Sequence, residues 1–389
     1  MENKRAIIVG CGISGSVIAR ELAEAGYKVQ ILERRNHIGG NMYDYVDEHG
    51  ILVHKYGPHT FHTTKKELFD YICKYSEWDE FKLTCGAVIN GRCTPTPFNF
   101  QTIDDFFDAQ EAELIKKELL KEYPNQESVT VLEALNSSNK VVRKYADFLF
   151  ENDYKPYSAK QWGKSPSEID PSILKRVPIR LNYKTGYFND KYQVMPHTSY
   201  KSFFKNLLNH KNITIDLNTD ALKKISIINN ELFFDSAKVD FPIVYTGPID
   251  ELFDHVFGKL PYRGLRFVFE YENIESKQEM PVVAYPQEPD FVRIIEFKKL
   301  PIQHVEGTTY EKEFSIPCCS GDEEEPYYPL LTTDSIHIYG KYRHLANQIR
   351  HLFVCGRLGD FKYYNMDQAL EAALNVSKSI MHNNNDYEE

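Results

Sequence analysis

The chain has 389 residues, of which 42% are hydrophobic and 26% charged, ordinary values for a soluble globular protein of two or three domains. Its formal net charge of −10 argues against nucleic-acid binding, which needs a basic surface to neutralise phosphates. The seven cysteines lack the paired spacing of a zinc site, which predicts reduced thiols and no metal. No signal peptide or membrane-spanning stretch is recognisable, which predicts no membrane contact and a cytoplasmic location.

The N-terminal segment predicts a dinucleotide-binding βαβ unit. A strand over 5–9 leads through a Gly-x-Gly-x-x-Gly turn into a helix, and a second strand over 28–32 ends at Glu33. The three glycines permit the turn, the approach of a pyrophosphate and close helix–strand packing. Glu33 lies 18 residues after Gly15, near the place from which an acidic residue binds a ribose.

A second glycine pair, Gly39-Gly40, follows this acidic residue. In flavoproteins that resemble the amine-oxidase and glutathione-reductase group, such a pair approaches the FAD pyrophosphate, whereas nicotinamide dehydrogenases usually lack it. The stretch therefore favours FAD over NAD.

Later patterns divide the chain into three interleaved domains. Helical spacing without strand signals follows residue 100, and period-two alternation near 262–270 and 291–296 predicts antiparallel strands with one polar face. A buried strand ending in Gly356-Arg357 indicates that the chain returns to its first domain. We predict an α/β protein with a Rossmann-like FAD domain (1–81, 194–250 and 318–389), an inserted helical-bundle domain with a substrate lid (100–172) and an antiparallel sheet domain (82–99, 173–193 and 251–317).

Three stretches concentrate residues suited to chemistry. Three histidines crowd the Gly-Pro loop over 54–62, and an aromatic segment over 157–165 leads to a basic cluster ending at Arg180. Arginines stand within or at the end of otherwise apolar strands, which is costly unless an anion pairs with them. Several guanidinium groups converging on one cleft would suit a diphosphate, which they bind bidentately. The dispersed arginines are Arg263, Arg293 and Arg357.

Taken together, these motifs resemble the bacterial UDP-galactopyranose mutase family from one end of the chain to the other. The matching segments after the glycine turn are 35–41, 54–57, 61–63, 97–99, 160–163, 175–180, 245–250, 325–329 and 356–358. The resemblance implies an FAD domain interrupted by a helical domain and a six-stranded antiparallel sheet. It also implies that UDP-galactopyranose and UDP-galactofuranose are interconverted, with N5 of reduced flavin forming an adduct with the anomeric carbon and displacing UDP.

The resemblance also assigns residues and partners. It places His62 beside the flavin and sugar, and it gives Arg176 on the lid and Arg293 to the departing diphosphate. The FAD contacts that it implies are Gly10, Gly12, Ser14, Gly15, Glu33, Arg34, Gly40, Asn41, His59, Thr60, Arg357 and Met366. The UDP-sugar contacts that it implies are Asn99, Tyr157, Ser158, Trp162, Arg176, Tyr187, Arg263, Arg293, Tyr327, Tyr328, Arg357 and Tyr363. A reductant such as NAD(P)H or reduced flavin, and a homodimer, are expected as well.

Some positions depart from the family pattern and leave the sugar and the class of reaction open. Thr198-Ser199 replaces a glycine pair, Ala284 stands where the family has Asn, and Asn365 replaces an Asp. Each lost polar contact costs about 1 kcal/mol, enough to change the preferred sugar, for example to UDP-N-acetylgalactosamine. The sequence is also compatible with an FAD oxidoreductase that carries out a net oxidation, and with a non-catalytic flavoprotein that binds UDP-sugars.

Overall fold

The computed structural model describes residues 4–163, 177–318 and 325–385, with the side chains of all of these except Trp162 and 383–385. Among the helices in these ranges, none combines the length and the apolar character that crossing a bilayer requires.

Five parallel strands form the Rossmann-like sheet that the N-terminal pattern predicts. Apolar runs such as Ala6-Ile7-Ile8 are fully buried, as expected for parallel strands covered by helices. The helix Ile13–Glu24 packs against the C-terminal helix Met366–Asn385, so the two ends of the chain meet beside this sheet. In spatial order the strands are Ile213–Asp216, Lys28–Leu32, Arg5–Val9, Ile243–Tyr245 and Leu352–Val354.

A larger sheet of seven strands faces the Rossmann-like sheet's loops, and it differs in detail from the six antiparallel strands expected. Val282–Ala284 pairs in parallel with Cys85–Ile89, so the sheet is mixed. The additional member is Tyr328–Pro329, a two-residue edge strand too short to show any alternation in the sequence. The spatial order is Tyr328–Pro329, Tyr262–Glu272, Thr308–Pro317, Arg293–Glu296, Val282–Ala284, Cys85–Ile89 and Arg92–Thr96.

A helical segment packs on the Cys85–Ile89 side of the large sheet. Its apolar positions recur at helical spacing, as in Val142, Tyr145 and Leu149, which are fully buried in a core shared with Ile89. The helices are Phe100–Phe106, Ala109–Glu122, Val131–Leu135, Lys140–Leu149 and Lys155–Trp162, with a π-helical turn over Phe150–Tyr154 between the last two.

Smaller elements complete the chain. The segment 177–193, predicted for the large sheet, contributes only Ile179–Arg180 and the start of Tyr192–Pro196, and both pair elsewhere. The α/β fold class is confirmed, and the domain boundaries stay a prediction. The remaining strands are Asp44–Val46, Leu52–His54, Phe61–Thr63, Trp78–Glu80, Ser128–Val129, Ile225–Ile228, Glu231–Phe234 and Ala237–Lys238; the remaining helices are Gly40–Met42, Lys66–Cys73, Tyr200–Leu208, Ala221–Lys223, Ile249–Leu252 and Thr333–Asn347.

Candidate active site

Two cavities meet between the Rossmann-like sheet and the large sheet. The first, of about 220 Å³, lies at the carboxyl ends of the parallel strands, where ligands of open α/β sheets bind. The second, of about 280 Å³, lies between the large sheet and the helix Lys155–Trp162. The residues that line both cavities, and so form their common wall, are His59, Tyr327, Arg357, Asn365 and Met366.

The floor of the first cavity is backbone that only glycine allows. Gly10 has φ +96°, and a Cβ there would come within 2.2 Å of Thr246 Oγ1. A Cβ on Gly40 would lie 2.8 Å from the Cα of Gly12, so the two glycine turns touch. This arrangement leaves a groove without side chains, which fits the close approach of a pyrophosphate.

The charges around this groove fit the same ligand. The helix Ile13–Glu24 has no side-chain cap and no acidic residue in its first turn, so its N-terminal N–H groups are available to an anion. Glu33 is buried, and its carboxylate accepts N–H bonds from Cys11 at 2.7 Å and Arg35 at 2.8 Å. Each oxygen keeps a further lone pair for a ribose hydroxyl. The residues present therefore fit a dinucleotide.

Almost all residues predicted for the cofactor line the first cavity. Thr60 is the exception and lines the second. Arg35, which the sequence motifs did not single out, also lines the first cavity; its guanidinium donates to Asn41 Oδ1 at 3.0 Å and pairs with Glu325. The predicted residues found there are Gly10, Gly12, Ser14, Gly15, Glu33, Arg34, Gly40, Asn41, His59, Arg357 and Met366.

Arg293 in the wall of the second cavity is held by a buried carboxylate. It stands opposite Glu313 in the antiparallel register, so both side chains project from one face of the sheet. Its Nε and Nη2 donate to Glu313 Oε2 at 2.9 and 2.7 Å, and the Glu313 side chain is 0% exposed. Two of the five guanidinium N–H donors are thereby used, which orients the others.

A second glutamate on the same strand, Glu311, has no hydrogen-bond partner for its carboxyl group among the described residues. Neither carboxyl oxygen of the fully buried Glu311 meets a donor within the described ranges. Burial raises the pKa of Glu311 well above its ordinary value, and the nearby Glu313 raises it further. Burial therefore favours the protonated form of Glu311, which reduces the negative charge beneath Arg293.

Arg357 on the common wall is surrounded by tyrosine rings. Its guanidinium carbon lies 5.6, 5.2 and 5.8 Å from the ring centroids of Tyr327, Tyr328 and Tyr363. Burial raises the pKa of Tyr327 and of Tyr328, so both keep their phenolic protons. The Tyr327 hydroxyl donates its proton to the carbonyl of Tyr56 at 2.5 Å, and so cannot donate to a ligand as well.

His62 lines the second cavity and uses one ring nitrogen in an internal contact. The ring stacks on Phe188 with centroids 3.5 Å apart, and Nδ1 lies 2.9 Å from Asp190 Oδ2. Because a carboxylate can only accept, Nδ1 carries a proton, and Nε2 of the neutral ring is the acceptor. On the common wall, burial lowers the pKa of His59 to about 4, and Arg357 and Arg293 oppose its protonation further, so this ring is neutral.

The structure brings most of the predicted substrate residues to the second cavity, but not Asn99 or Arg263. Asn99 is fully buried and caps the helix Phe100–Phe106 by accepting from Gln101 N. Arg263 donates to Gln161 O at 3.2 Å and to Ser315 Oγ at 3.1 Å, which fastens a helix end to the sheet. Arg176 and the side chain of Trp162 lie outside the described ranges. The predicted residues that line the cavity are His62, Tyr157, Ser158, Tyr187, Arg293, Tyr327, Tyr328, Arg357 and Tyr363.

The departures from the family pattern fall in different places. Ala284 and Asn365 line the second cavity, so both can affect a ligand there. Thr198-Ser199 lines neither cavity. Instead the Ser199 side chain caps the helix Tyr200–Leu208 by accepting a hydrogen bond from Ser202 N at 3.0 Å. Serine is a preferred residue at such a cap, so its presence here does not require contact with a ligand.

Four residues of the second site were not predicted from the sequence motifs. Glu313 and Asp190 hold Arg293 and His62, and Asp153 and Gln161 line the cavity itself. Glu313 stands between Lys312 and Phe314 on its strand, and which face of that strand is buried depends on the partner strands. For Asp190, 128 residues from His62, no local signal exists.

The sequence matches two known protein families and several curated proteins. The sequence model of the family described as UDP-galactopyranose mutase matches residues 152–363, and that of the NAD(P)-binding Rossmann-like domain matches 8–75. A "Probable UDP-galactopyranose mutase" of Klebsiella pneumoniae is 35% identical over 386 residues, covering 98% of this chain and 96% of the relative. A dTDP-fucopyranose mutase of Escherichia coli is 33% identical, covering 98% and 99%.

A solved structure has the same fold. The crystal structure of a reduced UDP-galactopyranose mutase superposes with a TM-score of 0.75 at 15% identity, covering 98% of this chain and 96% of that one. At such low identity the superposition shows the fold alone. The full-length similarity to curated relatives, together with the matching family model, shows that the chain belongs to the UDP-galactopyranose mutase family.

Proposed function

We propose that this protein is an isomerase that uses reduced FAD to interconvert UDP-galactopyranose and UDP-galactofuranose. The observation that carries the proposal is the wall shared by the two cavities, because a nucleotide sugar in one would meet a flavin in the other. Membership of the family and the relatives named UDP-galactopyranose mutase support this choice of reaction.

The first cavity would hold FAD, with the pyrophosphate along the paired glycine turns and the ribose at Glu33. When it is bound and reduced, the flavin supplies the nucleophile for the anomeric carbon of the sugar. The protein has to position that carbon at the shared wall, neutralise the leaving diphosphate and exclude water.

Neutralisation would fall to the cations of the second cavity. Arg293 is oriented by Glu313, and Arg357 stands at the common wall, so a diphosphate between them would gain charge-assisted hydrogen bonds as UDP departs. Arg176 would add a third guanidinium. Of the adjacent tyrosines, Tyr327 cannot donate to a phosphate, because its proton is used by a backbone carbonyl.

Proton movement during ring opening and closure would use His62. The residue lines the second cavity with Nε2 as the acceptor of its ring, and Asp190 fixes the tautomer and stabilises the cation formed if that nitrogen takes a proton. At the far end of the cavity, the ring of Tyr157, with Ser158 and Trp162, would bind the base.

The test is a product assay with the purified, flavin-bound protein. Dithionite-reduced enzyme is incubated with UDP-galactopyranose, and chromatography separates the furanose product. We expect turnover with reduced protein and none with oxidised protein; robust turnover without a reductant would contradict the proposal. Oxygen or dye consumption in step with substrate loss would indicate a net oxidation instead. In cells, NAD(P)H or a reduced flavin would supply the electrons.

A second candidate is the same reaction on another nucleotide sugar. The dTDP-fucopyranose mutase relative is 33% identical over nearly its full length, as similar as the 33% found for the Mycoplasma pneumoniae UDP-galactopyranose mutase. Ala284, where the family pattern has Asn, lies in the second cavity. Running the assay in parallel with dTDP-fucopyranose and UDP-N-acetylgalactosamine decides between these substrates.

A further inference from the structure

One face of the helix Lys155–Trp162 and of the π-helical turn before it is polar where it meets the second cavity. Asp153, Tyr157 and Gln161 recur at intervals of four, and all three line that cavity. Pro156 explains the local geometry: it has no N–H and its ring crowds the preceding turn, so the helix widens at Phe150–Tyr154. Asp153 lies inside that widened turn.

Two polar groups on this face have no hydrogen-bond partner among the residues that the structure describes. Asp153 is 8% exposed, and its carboxyl group has no hydrogen bond to any described residue. Gln161 is 5% exposed, and its Oε1 is buried without a donor in the same ranges. Buried polar groups are nearly always hydrogen-bonded, so a ligand that satisfies both is expected.

Among the described residues, the cation that acts on Asp153 is Lys160, and it does not form a hydrogen bond with the carboxyl group. Lys160 Nζ donates to the carbonyl oxygens of Tyr285 at 2.6 Å and Phe291 at 2.7 Å, which holds it against the sheet. Burial raises the pKa of Asp153 to about 7, and Lys160 only partly opposes this. Near neutral pH the carboxyl group is therefore often protonated, and can then donate one hydrogen bond while accepting another.

Different cations act on the two ionisable groups of this face, Asp153 and Tyr157. Lys160 is the cation that acts on Asp153, whereas Arg293 acts on Tyr157, whose pKa is raised by burial and held down by that guanidinium. Tyr157 lies one helical turn after Asp153, and it is Tyr157 on which Arg293 acts. A diphosphate belongs at the Arg293 end, since a carboxyl group would repel it, and an uncharged ring belongs beside Asp153.

We infer that Asp153 reads the base of the nucleotide: it accepts the ring N3–H of a pyrimidine imide, and its proton, when present, pairs with the adjacent base carbonyl while the base stacks on Tyr157. The inference rests on the proposed function, because it takes the ligand to be a nucleotide sugar. Uracil and thymine share this imide edge, so Asp153 selects for both and against bases without the N–H.

The experiment titrates flavin-bound protein with UDP and with N3-methyl-UDP, which cannot donate from N3. We expect N3-methylation to weaken binding to the unchanged protein at least tenfold, or about 1.4 kcal/mol. Asp153→Leu should bind UDP at least tenfold more weakly, and should bind the two ligands within threefold of each other. Asp153→Asn offers one donor and one acceptor, and should keep the preference for UDP.

Asp147→Leu is the matched control, because Asp147 is exposed on the preceding helix and lines neither cavity. It should leave both affinities unchanged. Equal discrimination by the unchanged protein and Asp153→Leu would overturn the inference, as would indifference of the unchanged protein to N3-methylation. If Asp153→Leu does not fold, Asp153→Ala takes its place in the same comparison, and discrimination equal to that of the unchanged protein overturns the inference there too.

The role of Asp153 and the proposed function are refuted by different results. Mutase turnover of UDP-galactopyranose combined with unchanged discrimination in Asp153→Leu refutes only the role of Asp153. Absence of UDP binding by the unchanged protein refutes the proposed function together with the inference.

Discussion

Replacing Arg293 by alanine removes the guanidinium that we propose binds the diphosphate. Arg293 uses two N–H groups on Glu313 and lines the second cavity, so three N–H groups are left for a ligand. A net charge-assisted hydrogen bond contributes about 1.5–3 kcal/mol. Since about 1.4 kcal/mol is a factor of ten, losing one such bond should weaken UDP binding about 10- to 150-fold.

The same substitution leaves Glu313 buried without its counter-ion. Breaking a buried pair by removing one partner costs about 3–5 kcal/mol of stability. An ionised Glu313 would also repel the diphosphate, so Arg293→Ala should bind UDP more weakly than the double variant Arg293→Ala/Glu313→Gln. The double variant should recover much of the lost stability, which separates the effect on binding from the effect on folding.

Calorimetric titration of flavin-bound protein with UDP measures these affinities, and denaturant unfolding measures the stabilities. Arg266→Ala is the matched control: Arg266 belongs to the same sheet, but its guanidinium stacks on Phe314 and does not line the cavity. UDP affinity within twofold of the unchanged protein in Arg293→Ala would refute the assignment of this arginine to the diphosphate.

Three further changes test other parts of the site. Gly12→Val should lower the flavin content per chain several-fold in absorbance spectra, because its side chain would enter the groove beside Gly40, whereas Gly340→Ala, with open space around it, should keep full occupancy. Asp190→Ala should lower kcat on the order of tenfold or more while leaving UDP affinity unchanged, since His62 loses its tautomer partner; unchanged kcat would exclude that role. Glu311→Gln should become more stable relative to the unchanged protein as the pH rises. With the pKa of Glu311 raised in the folded state, its stabilising effect is complete below the unfolded-state pKa of about 4.3 and is lost as the pH rises through the folded-state value, by up to about 1.4 kcal/mol per pH unit. A stability difference that does not change with pH in denaturant titrations would show that the carboxyl group is not proton-linked to folding.

Local pattern was sufficient for the parts of the protein that depend on neighbouring residues. The turn at Gly10 requires positive φ, and the strands beside it are short apolar runs, so the βαβ unit and its acidic end at Glu33 follow from sequence order alone. The same holds for the order of motifs that identified the family, and for the histidine loop and Tyr157 segment as places of chemistry.

Tertiary structure decided which side chains share a cavity and which are structural. Asn99 and Arg263 look like ligand-binding residues in the sequence, but one caps a helix and the other fastens a helix end. Asp153 looks like a surface acid until folding buries it beside Tyr157. The pairing of Arg293 with Glu313 depends on strand register. The contact between His62 and Asp190 depends on the pairing of Phe61–Thr63 with Tyr192–Pro196, the strand that begins just after Asp190. Such contacts join residues that are far apart in the sequence. No local pattern therefore identifies the partner of either residue.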